Sequence, residues 1–119
     1  MTIRRFMPII QSTDPAASRA FYVDGLGFEV AMDMGWIVTF ASPANPTAQI
    51  SVVRRDDATT PQPDFTVEVA DVDAAHARAL AHGLPVVYPL TDEPWGVRRF
   101  FLRDPDGRIA NVMSHQGGT

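Results

Sequence analysis

The chain contains no cysteine and no lysine, and all ten of its basic residues are arginine. The absence of cysteine excludes disulfides, thiolate metal sites and a cysteine nucleophile from the possible chemistry. Long apolar runs are also lacking, since no stretch approaches the roughly 20 consecutive residues that a membrane-spanning helix needs. We therefore expect no membrane partner and no thiol chemistry.

The composition is that of a small globular domain. The chain has 119 residues, of which 45% are hydrophobic and 20% charged, and this length suits one compact domain. Its net charge of −4 argues against a nucleic-acid partner. The same charge would suit a cationic ligand, although it also serves solubility alone. The first six residues have no apolar stretch typical of a signal peptide, so we expect a cytoplasmic protein.

The first half of the sequence predicts a β-α-β-β-β order. Residues 3–11 are mostly apolar and extended in character, and Asp14-Pro15 is typical of a helix N-cap followed by the first helical residue. This helix is expected to end near Asp24, before Gly25 and Gly27. Three short strands then follow, at residues 28–32, 36–41 and 48–54.

The second half predicts the same order again. Residues 55–63 lack apolar periodicity and are interpreted as a linker. A strand at 64–70, a helix capped by Asp71 or Asp73 and three strands at 85–90, 97–103 and 108–114 follow. We therefore predict one domain over residues 1–119, with a first module at about 1–54 and a second at about 64–115. The alternative is an ordinary α+β sandwich whose halves are similar by chance.

The segment Asp104-Pro105-Asp106-Gly107 separates the last two predicted strands. Proline at its second position and glycine at its fourth favour a type I turn, and the Asp104 side chain can bond the backbone ahead of it. The segment is therefore predicted to be a hairpin turn with no catalytic role.

Several motifs occur in a fixed order along the chain, and these are Asp14-x-x-x-Ser18-x-x-Phe21-Tyr22-x-x-x-Leu26-Gly27-Phe28, Asp71-Val72-Asp73-Ala74-Ala75, Gly83, Pro94-Trp95-Gly96 and Asp104-Pro105-Asp106-Gly107. Together they resemble the glyoxalase, bleomycin-resistance protein and extradiol dioxygenase superfamily, also named the vicinal oxygen chelate superfamily. The resemblance covers nearly the whole chain. It implies an α+β fold in which two β-α-β-β-β modules form a curled mixed sheet, or cup. It also implies a homodimer with a small-molecule ligand in the cup.

Metal-dependent members of this superfamily carry His or Glu at four strand positions. By the resemblance, those positions fall here on Met7, on Gln49 or Ser51, on Asp64 and on Asn111. A thioether and neutral oxygens bind divalent ions such as Zn or Mn poorly, which leaves Asp64 as the one hard ligand. We therefore predict no metal cofactor, with a divalent metal held by unusual ligands as the alternative.

Strand alternation places further side chains on the face of the sheet that carries these four positions. Glu68 and Met113 are in phase with them, and His115 is in phase with Asn111. Trp36 and Trp95 occupy matching points of the two modules and are candidate aromatic walls for a planar ligand. The predicted ligand-binding residues are therefore Met7, Trp36, Gln49, Ser51, Asp64, Glu68, Trp95, Asn111 and Met113.

Three polar features leave alternatives open. Arg98 and Arg99 must point to opposite faces of one strand, so one of them faces the cup or a partner and could pair with Asp64 or Glu68. Asn111 either bonds a ligand or bonds a neighbouring strand or water. His76 and His82 fall on the predicted second helix and are interpreted as surface or packing residues.

Two hypotheses on function follow from these expectations. The first is a metal-free dimer that sequesters a small cationic or aromatic compound, similar to bleomycin-resistance proteins, and it requires no catalytic residue. The second is a lyase, isomerase or dioxygenase of the same superfamily, either metal-dependent or using Asp64 or Glu68 as a general base. The sequence favours the first because most expected metal ligands are missing.

Overall fold

A computed structural model describes residues 2–54 and 62–116 of the chain. Its helical segments are Pro15–Ala17 and Ala20–Gly25, which run together as helix α1 over residues 15–25, and Val72–Ala81, which is helix α2. Its strands are β1 (Ile3–Ser12), β2 (Glu29–Asp33), β3 (Ile37–Ala41), β4 (Gln49–Arg54), β5 (Phe65–Val69), β6 (Val86–Glu93), β7 (Val97–Arg103) and β8 (Ile109–His115). None of the helices in the described residues is long and apolar enough to cross a membrane.

The element order confirms the predicted fold class, α+β with two β-α-β-β-β modules. The chain divides into two compact units, an N-terminal unit of residues 6–57 and a C-terminal unit of residues 1–5 and 58–119. The predicted linker lies at 55–63, and residues 55–61 of it fall outside the described residues. The predicted module boundaries, the single-domain organisation and the cup stay predictions.

The two units repeat one strand arrangement. In the N-terminal unit the order is β2-β3-β4-β1, with β4 and β1 parallel and the other pairs antiparallel. In the C-terminal unit the order is β5-β8-β7-β6, again with one parallel pair, β5 and β8. Each unit therefore places its first and last strands side by side, which makes Ser51 of β4 and Asn111 of β8 equivalent positions.

Helix α1 begins where the sequence predicts. The Asp14 side chain accepts a hydrogen bond from the Ala17 amide, and Pro15 follows it as the first helical residue, where its missing N–H costs nothing. The helix opens with a 3-10 turn and ends as a π-helical turn, so it is not the regular α-helix that the periodicity suggests. Tyr22 and Val23 pack against the buried side chains Val38, Phe40 and Val52.

Helix α2 covers one face of the C-terminal sheet. Asp71 is its N-cap and accepts from the Ala74 amide, so Asp71 rather than Asp73 caps the helix. Its buried residues Val72, Ala75 and Ala79 pack on the sheet. The sheet side of this core consists of Val69, Phe100, Ala110 and Val112, with Phe65 and Val67 partly buried beside them.

Strands β7 and β8 are joined by the predicted turn at Asp104–Gly107. The Gly107 amide donates to the Asp104 carbonyl, and the Asp104 side chain accepts from the amides of Asp106 and Arg108. Gly107 has a φ of +91°, which favours glycine, and Arg103 pairs with Ile109 beyond the turn. This register places Phe101 opposite Asn111 and Arg99 opposite Met113.

Candidate ligand-binding face

Each sheet has one face covered by its own helix, and we call the other face of each unit its distal face. On the C-terminal distal face, Thr66 and Phe101 flank Asn111 as its register partners on β5 and β7. On the N-terminal distal face, Ile9 and Thr39 flank Ser51 in the same way. The two faces are equivalent in backbone and differ in side chains.

Asn111 is buried, with 8% of its surface exposed, and is bonded on one side only. Its Nδ2 donates to the Thr66 hydroxyl at 3.1 Å. Its Oδ1 is buried and has no hydrogen-bond partner within the part of the chain that the structure describes. A buried carbonyl without a partner costs about 1–3 kcal/mol. Asn111 therefore bonds a neighbouring strand through Nδ2, as the second alternative expects. Its Oδ1 can still accept a hydrogen bond.

Arg99 lies among aromatic rings beside Asn111. Its guanidinium carbon is 4.8 Å from the centre of the Phe101 ring, 5.4 Å from that of Tyr88 and 5.2 Å from that of Trp95. Tyr88 and Phe101 stack on each other with centres 4.6 Å apart. Contacts at this range are attractive because a cation sits over the negative face of each ring. The four side chains form one group, which we call the Arg99 cluster.

Glu93 orients the Arg99 guanidinium and the Tyr88 ring of this cluster. Its Oε2 accepts from Arg99 Nε at 2.7 Å and from the Tyr88 hydroxyl at 3.0 Å, and its side chain is 9% exposed. The structure therefore answers which arginine faces which side, since Arg99 occupies the distal face. The predicted pairing of an arginine with Asp64 or Glu68 is wrong for Arg98 and Arg99, because their carboxylate partners lie on other elements.

Arg98 lies on the opposite face of β7 and pairs with Asp73 and Asp92. Its hydrogen bond to the Asp73 carboxylate holds the pKa of Asp73 below its ordinary value. The hydrogen bonds from Asp73 and Asp92 raise the pKa of Arg98 in return. This group is exposed and belongs to the α2 side of the unit, so it takes no part in the distal face.

Glu68 forms a second polar group on the C-terminal unit. Its Oε1 lies 2.9 Å from Arg5 Nε and its Oε2 lies 3.1 Å from His115 Nδ1. Glu68 and Arg5 are largely buried, whereas more than half of the His115 side chain is exposed. Both carboxylate oxygens therefore already have a partner, Oε2 through a hydrogen bond with His115 and Oε1 through an ion pair with Arg5, so Glu68 does not stand free as a general base.

Asp64 forms hydrogen bonds with the backbone of Ile109. Its Oδ2 accepts from the Ile109 amide at 2.7 Å, and its own amide donates to the Ile109 carbonyl at 2.7 Å. Asp64 is exposed at the start of β5 and fastens the first residue of β8. Its assignment as a ligand contact stays a prediction, and the contact that the structure gives it is structural.

The centre of the N-terminal distal face, around Ser51, is neutral, and its side chains bond one another. Ser51 is fully buried, shares a 2.7 Å hydrogen bond with the Thr39 hydroxyl and lies 3.2 Å from Met7 Sδ. Gln49 lies further along β4 and donates from its side chain to the Pro46 carbonyl. Equivalence with Asn111 selects Ser51 over Gln49 for the fourth-strand position. Met7 and Ser51 bond each other here.

The four positions that carry metal ligands in related proteins do not fit a divalent metal. Met7 offers a thioether, Ser51 and Asn111 offer neutral oxygens, and each of the three is bonded to or beside a neighbouring side chain. The Asp64 carboxylate is bonded to the backbone. No group of three or more His, Cys, Asp or Glu side chains suited to a metal was found in residues 2–54 and 62–116.

The remaining predicted residues are spread over the chain. Met113 is buried next to Asn111 on β8, opposite Arg99. Trp95 is exposed and stacks with Arg99, which joins it to the C-terminal site. Trp36 is exposed in the turn before β3 of the N-terminal unit, and no contact of its ring in the described structure assigns it a role. His76 packs edge-on against Phe100 under α2, as predicted for a packing residue.

The centre of the Arg99 cluster and the carboxylate that binds it were not predicted from the sequence. Tyr88, Glu93 and Phe101 were not among the predicted residues, and Arg99 was left without a face. A signal for Phe101 and Arg99 existed, because the predicted Asp104–Gly107 turn fixes the pairing of β7 with β8. That pairing sets Phe101 beside Asn111 and Arg99 beside Met113.

The C-terminal unit also contains an apolar groove of about 430 Å³ between α2 and the sheet. Its lining is apolar apart from Arg78 and His82, both of which are exposed. A ligand site normally combines apolar walls with converging polar groups that orient the ligand. The distal face meets that description better, so we place the candidate site there.

Comparison with known proteins extends these observations. Solved structures with a similar fold include a glyoxalase/bleomycin resistance protein/dioxygenase superfamily member from Vibrio splendidus 12B01, with 20% identity, a TM-score of 0.72 and coverage of 95% of this chain and 99% of that one. A methylmalonyl-CoA epimerase from Streptomyces coelicolor in complex with 2-nitronate-propionyl-CoA has 19% identity, a TM-score of 0.72 and coverage of 96% and 99%. A protein from Legionella pneumophila described as an NAD-dependent benzaldehyde dehydrogenase has 16% identity, a TM-score of 0.76 and coverage of 93% and 99%. At these identities the likeness extends to the fold alone.

No curated protein matches the chain. The model of the Glyoxalase/Bleomycin resistance protein/Dioxygenase superfamily matches residues 2–109, which is most of the sequence. This match agrees with the motif order and with the repeated β-α-β-β-β arrangement. The chain therefore belongs to the Glyoxalase/Bleomycin resistance protein/Dioxygenase superfamily.

Proposed function

We propose that this protein binds a small aromatic molecule on the distal face of its C-terminal unit and needs no metal to do so. The observation that carries the proposal is the Arg99 cluster beside a buried amide. Phe101 is the register partner of Asn111, and its ring stacks with Tyr88 under the Arg99 guanidinium. Phe101 is 1% exposed and packs against the cation from the core, so the stacking surface open to a planar ligand consists of the exposed Trp95 ring and the partly exposed guanidinium. The Asn111 carbonyl adds a hydrogen-bond acceptor.

The aromatic part of the predicted ligand gains more support than the cationic part. Attraction of a cation was expected from acidic residues such as Asp64 and Glu68. In the structure Glu68 is paired with Arg5 and His115, and Glu93 is paired with Arg99. These pairs cancel most of the local negative charge. Sequestration of a drug-like aromatic compound by a homodimer is the form of the function that we propose.

The second candidate function is a lyase, isomerase or dioxygenase activity. One observation favours it, namely that Glu68 lies between an arginine and a histidine, an arrangement that can pass a proton through His115. Both oxygens of Glu68 are occupied, however, and one would have to be released before it accepts a proton from a substrate. Binding without turnover requires no such step, and we rank it first.

Methionine methyl groups allow a direct test of the binding function. The protein labelled at its methionine methyls is titrated with a library of aromatic compounds, neutral, anionic and cationic, and followed by NMR. Met113 reports on the C-terminal distal face, Met7 and Met32 report on the N-terminal one, and the exposed Met34 reports on non-specific binding. We expect saturable shifts at Met113 without product signals. Shifts confined to Met32 and Met34, or no shifts at all, would contradict the proposal.

Metal content separates the two candidate functions. Protein purified without chelator or affinity tag is dialysed and subjected to elemental analysis, and is then titrated with Zn, Mn, Ni and Fe. We expect no stoichiometric metal and no change in the Met113 shifts, because Met7, Ser51 and Asn111 offer poor ligands. About one divalent ion per subunit would favour the enzyme instead.

A further inference from the structure

We infer that the ligand of the C-terminal distal face carries a carboxylate, which the free end of Arg99 binds, next to a planar aromatic group. This inference rests on the proposed function and narrows its ligand to aromatic carboxylic acids. The observation behind it is that the Arg99 guanidinium uses only some of its hydrogen-bond donors within the described residues.

Arg99 has more hydrogen-bond donors than its neighbours use. A guanidinium carries five N–H groups, and Glu93 takes the one on Nε. The terminal nitrogens Nη1 and Nη2 donate no hydrogen bond to any of the described residues. The other close neighbours of the guanidinium are the faces of Tyr88, Trp95 and Phe101, which attract its charge and accept no conventional hydrogen bond.

The surroundings fix this arginine before a ligand arrives. Glu93 is itself held by the Tyr88 hydroxyl, so the carboxylate that grips Nε cannot swing freely. The rings of Tyr88 and Phe101 hold the plane of the guanidinium. An arginine that is already oriented loses little side-chain entropy on binding, and its two terminal nitrogens match the two oxygens of a carboxylate.

Free donors and exposure point to the same ligand. Glu93 bonds Arg99 through Nε only, which leaves the terminal nitrogens to donate to an anion, and a fifth of the Arg99 side chain remains exposed. Trp95, which is 61% exposed, stacks with the guanidinium and extends an aromatic surface toward solvent. A molecule with a carboxylate and an adjoining ring can meet the cation and the indole together. A cationic group offers no acceptor to the free donors of Arg99.

The test compares acids with their own amides. The protein is titrated with benzoate, phenylacetate and cinnamate and with the three matching primary amides, using calorimetry and the fluorescence of Trp95 in a Trp36→Phe background. We expect at least one acid to bind about tenfold or more tightly than its amide, because charge-assisted bidentate hydrogen bonds are the stronger ones. The acid should also shift Met113 in the NMR experiment.

Two variants assign the effect to Arg99. Arg99→Gln should lose at least about tenfold in affinity for the acid and clearly less for the matching amide, because the amide loses only the stacking contact with the guanidinium. Arg98→Gln is the matched control, since it removes the same charge from the next residue on the opposite face, and it should bind like the wild type. Arg99→Lys keeps the charge without the planar fork and covers the case in which Arg99→Gln fails to fold. It should bind the acid more weakly than the wild type.

Three results would overturn the inference: acids and amides binding equally, Arg99→Gln or Arg99→Lys binding the acid like the wild type, or no acid binding at all. The first of these leaves the proposed function intact, because the aromatic group is then what is recognised. If the wider library also fails to shift Met113, the proposed function falls as well.

Discussion

The two units of this protein have the same strand order and the same parallel pairing of first and last strands, but the polar side chains on their distal faces differ in hydrogen bonding. In the N-terminal unit, Ser51 bonds Thr39 and Met7, and its neutral side chains use each other's capacity. In the C-terminal unit, the equivalent Asn111 has a carbonyl without a partner among the described residues, and Arg99 has unused donors beside it. One backbone repeat therefore holds polar side chains that bond one another, and the other holds polar side chains with unused hydrogen-bonding capacity.

Unsaturated polar groups are costly in a folded protein unless something else repays them. A buried carbonyl without a partner destabilises the fold, and replacing a polar group by an apolar one of similar shape is often neutral. The presence of Asn111, whose Oδ1 is buried without a partner among the described residues, is therefore hard to explain by stability alone. A ligand that completes the hydrogen bonds of Asn111 and Arg99 gives both residues a function.

The cores of the two units should respond alike, and this sets the largest expected effect. Phe40 and Phe100 are each fully buried, one per unit. Replacing either by alanine leaves a large cavity and should lower the free energy of unfolding by about 3–5 kcal/mol. Urea unfolding monitored by circular dichroism measures the change. The exposed Phe21 is the control, and Phe21→Ala should cost about 1 kcal/mol or less.

A large difference between the stability losses of Phe40→Ala and Phe100→Ala would contradict the equivalence of the two units. If Phe40→Ala costs less than about 1 kcal/mol while Phe100→Ala unfolds the protein, then the units are not equivalent in packing. The difference between their distal faces would then reflect unequal cores rather than function. Similar losses for both variants would confine the difference to the distal faces.

The distal faces should respond in opposite ways to loss of their central polar residue. Ser51→Ala removes a fully used hydroxyl, leaves that of Thr39 unpaired, and should cost about 1–2 kcal/mol. Asn111→Leu removes the unpartnered carbonyl together with the bond to Thr66. These two effects offset each other, so we expect the free energy of unfolding to change by less than about 1 kcal/mol.

Ligand binding completes this comparison. Asn111→Leu should weaken binding of any compound that shifts Met113, whereas Ser51→Ala should bind it like the wild type. Urea unfolding and the methyl titration are run on the same samples. A loss of more than roughly 3 kcal/mol in Asn111→Leu would place Asn111 among structural hydrogen bonds and contradict a binding role.

Much of the fold could be predicted from sequence because its signals are local. Asp14 and Asp71 cap helices through their own neighbours, and the Asp104–Gly107 segment closes a turn on itself. The alternation of side chains along β8 likewise puts Val112 in the core under α2 and Asn111 on the other face. Each of these features depends on residues within a few positions of one another.

The candidate site was harder to predict because its contacts are not local. Strand β6 was expected to end at Leu90, yet it continues to Glu93 after two register shifts along its pairing with β7. That extension delivers the carboxylate that orients Arg99. Irregular pairing leaves little mark in hydrophobic periodicity, so the sequence favoured Asp64 or Glu68 as the partner. The pairing of Arg5 with Glu68 could not be predicted either, because the two residues lie far apart in the chain and no local pattern connects them.

The turn that aligns β7 with β8 gives the smallest expected effect and the one that varies with pH. Backbone amides of Arg108 and Asp106 that donate to the Asp104 carboxylate lower its pKa below the ordinary value, Arg108 contributing most. A lowered pKa in the folded state means that this stabilisation is complete above the unfolded-state pKa, about 3.9, and is lost as the pH falls through the folded-state value. Asp104→Asn should therefore be slightly less stable than wild type at neutral pH.

The difference between wild type and Asp104→Asn should shrink as the pH falls below about 4. Urea unfolding at neutral and acidic pH measures it, with Asp106→Asn as the control, because Asp106 has an exposed carboxylate that receives a bond from Arg108 but none from the backbone. A difference that stays constant with pH would show that the Asp104 charge does not hold the turn. Since this turn sets Phe101 opposite Asn111, a slipped register should also reduce the Met113 response to ligand. The turn thereby links a local sequence signal to the site that distinguishes the C-terminal unit.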